Sequence, residues 1–294
     1  VRPDAAQAAA FAADGWCRVP GLVAPADLVA LGPALARLFP SAEQMAAGDL
    51  AGGPWADWDA AWPEFPFHSR TLNRIALGEA TLDLAAGLLG TEDLRCYLAL
   101  ATAKYPGQPS GYNRLLHADY PNHTLVVPRD EVGYQHLECL VYLCDVDETN
   151  GATAFVSRRR TAGIGVEEHT LNLTDHAELY DASVRVPGPA GTAVCYRPDT
   201  YHRSVDDMAP GTARFLLHLA FRPAAAEWGG YQAWPFKGFS PAWHAFVASA
   251  SPRQLTALGF PAPGHPYWTA QTLAGVQARY PDLDLSPWRA AAGR

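Results

Sequence analysis

The spacing of apolar residues changes twice along the chain. After Pro25, which suits the first turn of a helix, Leu28, Leu31, Leu35 and Leu38 recur at three- and four-residue steps and predict one apolar helical face, with Pro33 as a possible kink. A second helix is expected from about Thr81 to Leu89, stopped by Gly90 as a C-terminal cap. Between them the Trp- and Pro-rich stretch 55–66 reads as loop. From Leu94 the period shortens to runs rich in Val, Leu, Tyr and Cys separated by turn residues. These predict strands at 94–105, 115–119, 124–127, 136–145, 152–156, 184–186, 192–196, 202–206 and 213–222. Beyond Pro223 helices return, for instance 241–250 and 267–279. So many closely spaced strands imply a sandwich or barrel. The expected fold is therefore mainly β with flanking helices: one domain over 1–294, with a helical and loop flank at 1–93, a β core at 94–223 and C-terminal helices and loops at 224–294. No repeat or low-complexity linker suggests a boundary.

Composition narrows the function. Apolar residues make up 49% of the 294 and charged residues 18%, which supplies a sizeable core and excludes disorder. A net charge of -8, with no basic run longer than Arg158-Arg159-Arg160, lacks the footprint of a nucleic-acid binder. The five cysteines (Cys17, Cys96, Cys139, Cys144 and Cys195) form no CxxC pair, and three of them sit in apolar, strand-like runs. Free thiols in a reducing, cytoplasmic compartment are expected. The Ala-rich opening lacks the pattern of a signal peptide, and no run is long enough for a membrane span, so neither nucleic acid nor membrane is an expected partner.

Chemistry concentrates in two segments. In Leu115-Leu116-His117-Ala118-Asp119 an imidazole and a carboxylate stand two apart, which in a strand puts both on one face. They offer two ligands of a 2-His-1-carboxylate metal site, although chance or a plain His–Asp hydrogen bond explains HxD alone equally well. Tyr201-His202-Arg203-Ser204 adds a third ligand from another expected strand, with His202 and Ser204 on one face. Arg214 then falls in the apolar run Ala213–His218, where burying a guanidinium is costly without an anion. A dicarboxylate would satisfy it through two parallel hydrogen bonds, with Ser204 adding a third. An internal Arg–Asp pair and an edge-strand Arg facing solvent stay open. His218, four residues after Arg214 on the same face, is a pocket residue or a hydrogen-bonded core histidine, and His123 lies near Asp119 and hence near a substrate. His136, His169 and His176 show no ligand spacing. The aromatic groups Trp55/Trp58/Trp62 and Trp228/Tyr231/Trp234 either cap a pocket mouth or pack loops on the core.

Taken together, these residues resemble the phytanoyl-CoA dioxygenase family of Fe(II)/2-oxoglutarate-dependent oxygenases, over most of the chain. Phe11-Ala12-Ala13-Asp14-Gly15 and the Val-Pro-Gly-Leu-Val of 19–23 look like that family's lead into its first helix. His117-Ala118-Asp119 stands at its HxD, and Val141–Asp145 with Asn150-Gly151 at its strand, acidic turn and NG. His202-Arg203-Ser204 stands at its distal HxS, and Arg214 at the arginine that binds the far carboxylate of 2-oxoglutarate. The resemblance implies a double-stranded β-helix (jelly-roll, cupin-like) core, with Fe(II) on the catalytic His117, Asp119 and His202. It also implies 2-oxoglutarate on Arg214 and Ser204, with Thr102 and Lys104 as further candidate contacts; a solvent-facing Lys104 is an equal alternative. The implied reaction is O2-dependent hydroxylation, or another oxidation, of an unactivated C–H bond in a small molecule, releasing succinate and CO2. The Ala-, Pro- and Gly-rich composition suits tailoring of a secondary metabolite. Asp119 argues against the related halogenases, which carry a small residue there. Where many relatives have Pro-Gly-Ser-His, this chain has Val156-Ser157-Arg158-Arg159, a segment that often borders the site, so a substrate does not carry over. Two other readings compete: a non-catalytic ligand-binding member of the fold, and a zinc hydrolase, which leaves Arg214 without a role.

Overall fold

The structure, a computed structural model, describes residues 1–48, 62–108, 111–127, 129–131, 133–165 and 168–292. Helix α1 (Ala5–Asp14) starts in a capping box made by Asp4 and Gln7 and stops on Gly15 at φ 83. A Cβ there would fall 2.3 Å from Thr200 Oγ1, so the close approach requires glycine. Strand β1 (Trp16–Val19) follows, then helices α2 (Pro25–Leu38), α3 (Ala42–Ala47), α4 (Arg70–Leu77) and α5 (Glu79–Leu89). The α2 and α5 expectations hold: Pro25 opens α2, Pro33 lies inside it, and Gly90 ends α5 in the left-handed region.

The strands build two five-stranded antiparallel sheets. Strands β2 (Leu94–Lys104), β4 (Leu137–Tyr142), β8 (Ala193–Tyr196) and β10 (Arg214–Pro223) join β1 in the order β1-β8-β4-β10-β2. The second sheet is made of two-residue strands: β3 (Leu116–His117), β5 (Ala154–Phe155), β6 (Thr170–Leu171), β7 (Val184–Arg185) and β9 (His202–Arg203), ordered β6-β3-β9-β5-β7. Short helices α6 (Tyr120–His123), α7 (Arg158–Thr161) and α8 (Ala177–Asp181) interrupt them, and α9 (Pro241–Val247), α10 (Pro252–Ala257), α11 (Ala270–Arg279) and α12 (Ser286–Ala292) close the chain.

Alternation along β4 explains how the layers stack. Cys139 and Val141 pack with the helical layer of Leu31, Leu72, Leu89 and Trp243, whereas Leu140 and Tyr142 pack with Phe155 from the second sheet and with Val186 just beyond β7. A strand covered on both faces reads as a continuous apolar run, which is why 136–145 shows no polar alternation. Cys17, Cys195 and Cys139 lie side by side in register across β1, β8 and β4, and all five cysteines are free thiols.

Three expectations change. Of the described residues 36% are helical and 19% in strands, so "mainly β" gives way to two antiparallel sheets plus helices. The second sheet falls short because its strands pair over only two residues before turning into loops. The expected strand at 124–127 is also absent: only Thr124 bridges, to Gly229, while Leu125, Val126 and Val127 are exposed without a partner strand. Finally, β1, β6 and the helices α1, α3, α4, α6, α7 and α8 have no counterpart of their own in the sequence reading. Most of 55–66 lies outside the described residues. Among those described, no helix is long and apolar enough to cross a membrane.

Candidate metal centre

Antiparallel pairing of β3 with β9 sets His117 directly opposite His202, their ring centroids 4.3 Å apart. Asp119 has already left the strand. Its N–H donates to Pro198 O at 2.8 Å, and its backbone has turned into the start of α6. That turn carries the carboxylate between the two rings, with Oδ1 3.6 Å from His117 Nε2 and Oδ2 3.5 Å from His202 Nε2. All three residues are buried, and their candidate ligand atoms lie within 4.8 Å of one another.

Backbone carbonyls fix both tautomers. His117 Nδ1 sits 2.8 Å from Leu115 O and His202 Nδ1 3.0 Å from Thr200 O, so each Nδ1 carries the proton and each Nε2 presents a lone pair to the centre. Burial pushes the His202 pKa down to about 4, leaving a neutral ring. For Asp119 burial acts upward, but the imidazoles of His202, His117, His123 and His218 outweigh it and hold the carboxyl below its ordinary value. Tyr196 donates its hydroxyl to Asp119 Oδ2 at 2.8 Å. Neutral imidazoles and an ionised carboxylate are the state a divalent metal requires.

The centre opens into a cavity of about 340 Å³ that also takes in Thr102, Ser204 and Arg214. Arg214 is 7% exposed. Its Nη1 donates to Gly151 O and to Thr153 Oγ1, its Nε has no partner, and among the described residues no carboxylate lies within ion-pair distance. Neither open alternative, an internal Arg–Asp pair or a solvent-facing edge arginine, describes it. Lys104 is buried rather than solvent-facing, yet it stands behind the cavity wall, its ammonium donating to Ser204 Oγ (2.7 Å), Val205 O (2.7 Å) and Asp206 Oδ1 (2.6 Å).

His123 and His218 line the other end, and what joins them is a residue the sequence reading missed. Glu138, wholly buried in the middle of β4, accepts from Tyr97 Oη and His123 Nδ1 on Oε1 (both 2.7 Å) and from His218 Nε2 on Oε2 (2.9 Å). Burial raises the Glu138 pKa, but His123 and His218 more than reverse that and keep it below its ordinary value. His123 is depressed by burial and lifted further by Glu138, reaching about 9. The missed signal was a carboxylate inside the apolar run Leu137-Glu138-Cys139-Leu140-Val141, the same anomaly that singled out Arg214.

Of the aromatic groups, Trp62 and Tyr231 line the cavity, whereas Trp234 is buried against Phe65 and Trp228 stacks on Tyr134. Trp55 and Trp58 lie outside the described residues. The divergent 156–159 segment faces away from the cavity: Ser157 Oγ donates to Asp14 and Arg158 pairs with Asp130 and Asp199.

The phytanoyl-CoA dioxygenase family model matches residues 11–214, a span that includes His117, Asp119, His202, Ser204 and Arg214. The chain belongs to the phytanoyl-CoA dioxygenase family. Its fold is similar to three solved structures at low identity. HygX from Streptomyces hygroscopicus, with nickel and 2-oxoglutarate bound, has a TM-score of 0.55 at 15% identity, over 76% of this chain and 88% of that one. The carbocyclase SnoK from nogalamycin biosynthesis, described as non-haem and alpha-ketoglutarate dependent, has 0.53 at 18%, over 82% and 92%. EctD from S. alaskensis has 0.53 at 20%, over 79% and 82%. No curated protein sequence matches the chain. For this family member the likenesses speak to fold, and the site speaks through its own residues.

Proposed function

We propose that the chain is an Fe(II)/2-oxoglutarate-dependent oxygenase on a jelly-roll core, hydroxylating an unactivated C–H bond of a small natural product in the cytoplasm. One observation carries this reading: a buried His–Asp–His cluster shares its cavity with a buried guanidinium that has no carboxylate partner among the described residues. The donor set fits Fe(II), because two neutral imidazoles and one carboxylate leave coordination positions open. Arg214 fits the far carboxylate of 2-oxoglutarate for the reason it fits nothing else nearby: a buried ion without a counter-ion is costly. Family membership supports the reading, as do relatives solved with iron, with 2-oxoglutarate and with hygromycin B. A zinc hydrolase would leave Arg214 idle.

When bound, Fe(II) supplies O2 activation coupled to decarboxylation of 2-oxoglutarate to succinate and CO2. The chain supplies the setting. Leu115 and Thr200 carbonyls hold the two rings, and Tyr196 orients Asp119. Arg214 and Ser204 hold the cosubstrate end, while Leu98, Leu100, Leu140 and Leu216 line the cavity and exclude water.

The test is succinate formation with Fe(II), ascorbate and 2-oxoglutarate under air. Turnover that needs metal and O2, and is lost in His202→Ala, is expected. If wild type makes no succinate and takes up no metal on reconstitution, the reading fails in favour of a ligand-binding member of the fold.

A further inference from the structure

Strand β10 works as a ruler along the cavity. Arg214, Leu216 and His218 alternate onto the cavity face, so the arginine and histidine positions lie about 13 Å apart at strand rise. His117 and His202 occupy the facing sheet and Asp119 the turn that follows it, with Tyr196 linking Asp119 to the His218 end. If the Arg214 end takes the cosubstrate, as proposed above, the substrate is left with the end built by His123, His218, Asn122, Tyr231 and Trp62.

That end has a definite polarity. Glu138 is fully buried and does not line the cavity; both of its oxygens are occupied by Tyr97, His123 and His218. The negative charge is therefore hidden, and the cavity meets the imidazole that the charge orients. His123 gives Nδ1 to Glu138, while its Nε2 has no partner among the described residues and its ring lies in the cavity wall. A histidine with a carboxylate on Nδ1 and protonated as an ion pair presents Nε2–H as a donor, which recognises oxygen acceptors and repels ammonium groups. At the mouth Tyr231 lies 5.1 Å from the His123 ring, and both Tyr231 and Trp62 are about half exposed (46% and 49%), leaving aromatic surface open to a ligand. Aromatic faces beside hydrogen-bonding groups suit a ring whose C–H face is apolar and whose rim carries hydroxyls.

We propose that this end of the cavity is a recognition site for an oxygenated ring, a glycosylated or polyhydroxylated compound. One of its hydroxyl or carbonyl oxygens accepts from His123 Nε2, and a ring face lies on Tyr231 and Trp62. Glu138 is a positioning residue that acts through His123. The inference rests on the oxygenase reading only for which end is left to substrate.

Saturation-transfer NMR tests it, on the nickel- and 2-oxoglutarate-loaded chain and on the metal-free chain. The probes are 4-nitrophenyl glucoside, galactoside and xyloside against 4-nitrophenyl hexyl ether, which shares the aryl group and lacks hydroxyls. Glycosides are expected to bind with saturation on the sugar ring. His123→Phe should weaken them about tenfold, the value of one charge-assisted hydrogen bond, with 2-oxoglutarate affinity unchanged within about twofold. His123→Gln, which keeps a donor, should recover part of the loss, and Tyr231→Ala should weaken binding without changing which hydroxyl matters. The proposal is overturned if the hexyl ether binds as well as the glycosides, if no glycoside binds, or if His123→Phe binds them like wild type. Failure of the wild type to bind nickel and 2-oxoglutarate counts against the oxygenase reading instead, and the metal-free arm still decides the glycoside site.

Discussion

Arg214 and Glu138 are buried ions on neighbouring strands of one sheet, and their surroundings are opposite. Glu138 has three internal donors, two of them imidazoles, and ends up more acidic than a free glutamate despite complete burial. Arg214 has a backbone carbonyl, one hydroxyl and an orphaned Nε, and burial makes its proton easier to lose. Since desolvating an ion costs several kcal/mol, a fold keeps one either by pairing it internally or by selecting for a ligand that pairs it. Glu138 is the first case and serves as a frame for two histidines; on the function proposed above, Arg214 is the second, a socket for the cosubstrate carboxylate.

Removing each charge should expose the contrast. Glu138→Leu strands the buried His123 imidazole, the half-buried His218 and a tyrosine hydroxyl, and should lower stability by about 3–5 kcal/mol in urea unfolding whether or not ligands are present. A loss under about 1 kcal/mol would mean that the network around Glu138 adds little to stability. Arg214→Met should leave the ligand-free chain as stable as wild type or more so, because two neutral acceptors repay only part of the cost of burying a charge that has no counter-ion among the described residues. Its affinity for 2-oxoglutarate should instead fall by about 3 kcal/mol, on the order of 100-fold by titration calorimetry. The rise in melting temperature that 2-oxoglutarate gives wild type should vanish with it. Equal destabilisation of the two ligand-free variants would erase the distinction.

The same contrast shows what the sequence could reveal. Charges in apolar strands are visible without a structure, and Arg214 was read that way; Glu138 carries an equal signal but belongs to no short motif. HxD and the distal His202 were legible because each ligand lies at or near a strand end. The geometry of Asp119 was not, since it reaches the metal position from a helical turn rather than along the strand. Lys104 shares a strand face with Thr102, but strand alternation says nothing of the 204–206 segment, whose Ser204 and Asp206 side chains and Val205 carbonyl draw its ammonium aside. The helices read from apolar periodicity, α2 and α5, were found, whereas α1 is Ala-rich with only Phe11 buried and offers no stripe to detect. Of the two-residue strands of the second sheet, β3, β5, β7 and β9 fall inside the expected runs 115–119, 152–156, 184–186 and 202–206, each shorter than expected, and β6, alone among them, showed no run to read.

Protonation probes the frame more gently than substitution. His123 has its pKa raised from 6.5 to about 9, so its contribution is complete below pH 6.5 and disappears as pH rises through 9. His136 is buried with neither ring nitrogen bonded, and burial pushes its pKa down to about 4, so its neutral form is required and stability is lost as pH falls from 6.5 toward 4. The metal-free chain should therefore be most stable near pH 6.5. On the alkaline side it should lose on the order of 2–3 kcal/mol by pH 9, and that decline should flatten in His123→Gln. A wild-type stability that keeps rising from pH 6.5 to 9 would show that His123 and Glu138 are not an ion pair.

The smallest effect is expected behind the socket. Lys104 gives one of its protons to Ser204 Oγ, which leaves the serine's own hydroxyl hydrogen free to point into the cavity toward a carboxylate held by Arg214. Lys104→Met removes that orientation without touching the cavity lining, and Asp206, being 37% exposed in its side chain, can be solvated in its place. The loss should be about 1 kcal/mol, roughly fivefold in the KM for 2-oxoglutarate, with kcat little changed. Ser204→Ala should cost a similar amount, and the double variant no more than either alone, because lysine and serine act through one hydrogen bond. Additive losses would show that Lys104 supports the cosubstrate by its charge, and the socket would then have two cations rather than one.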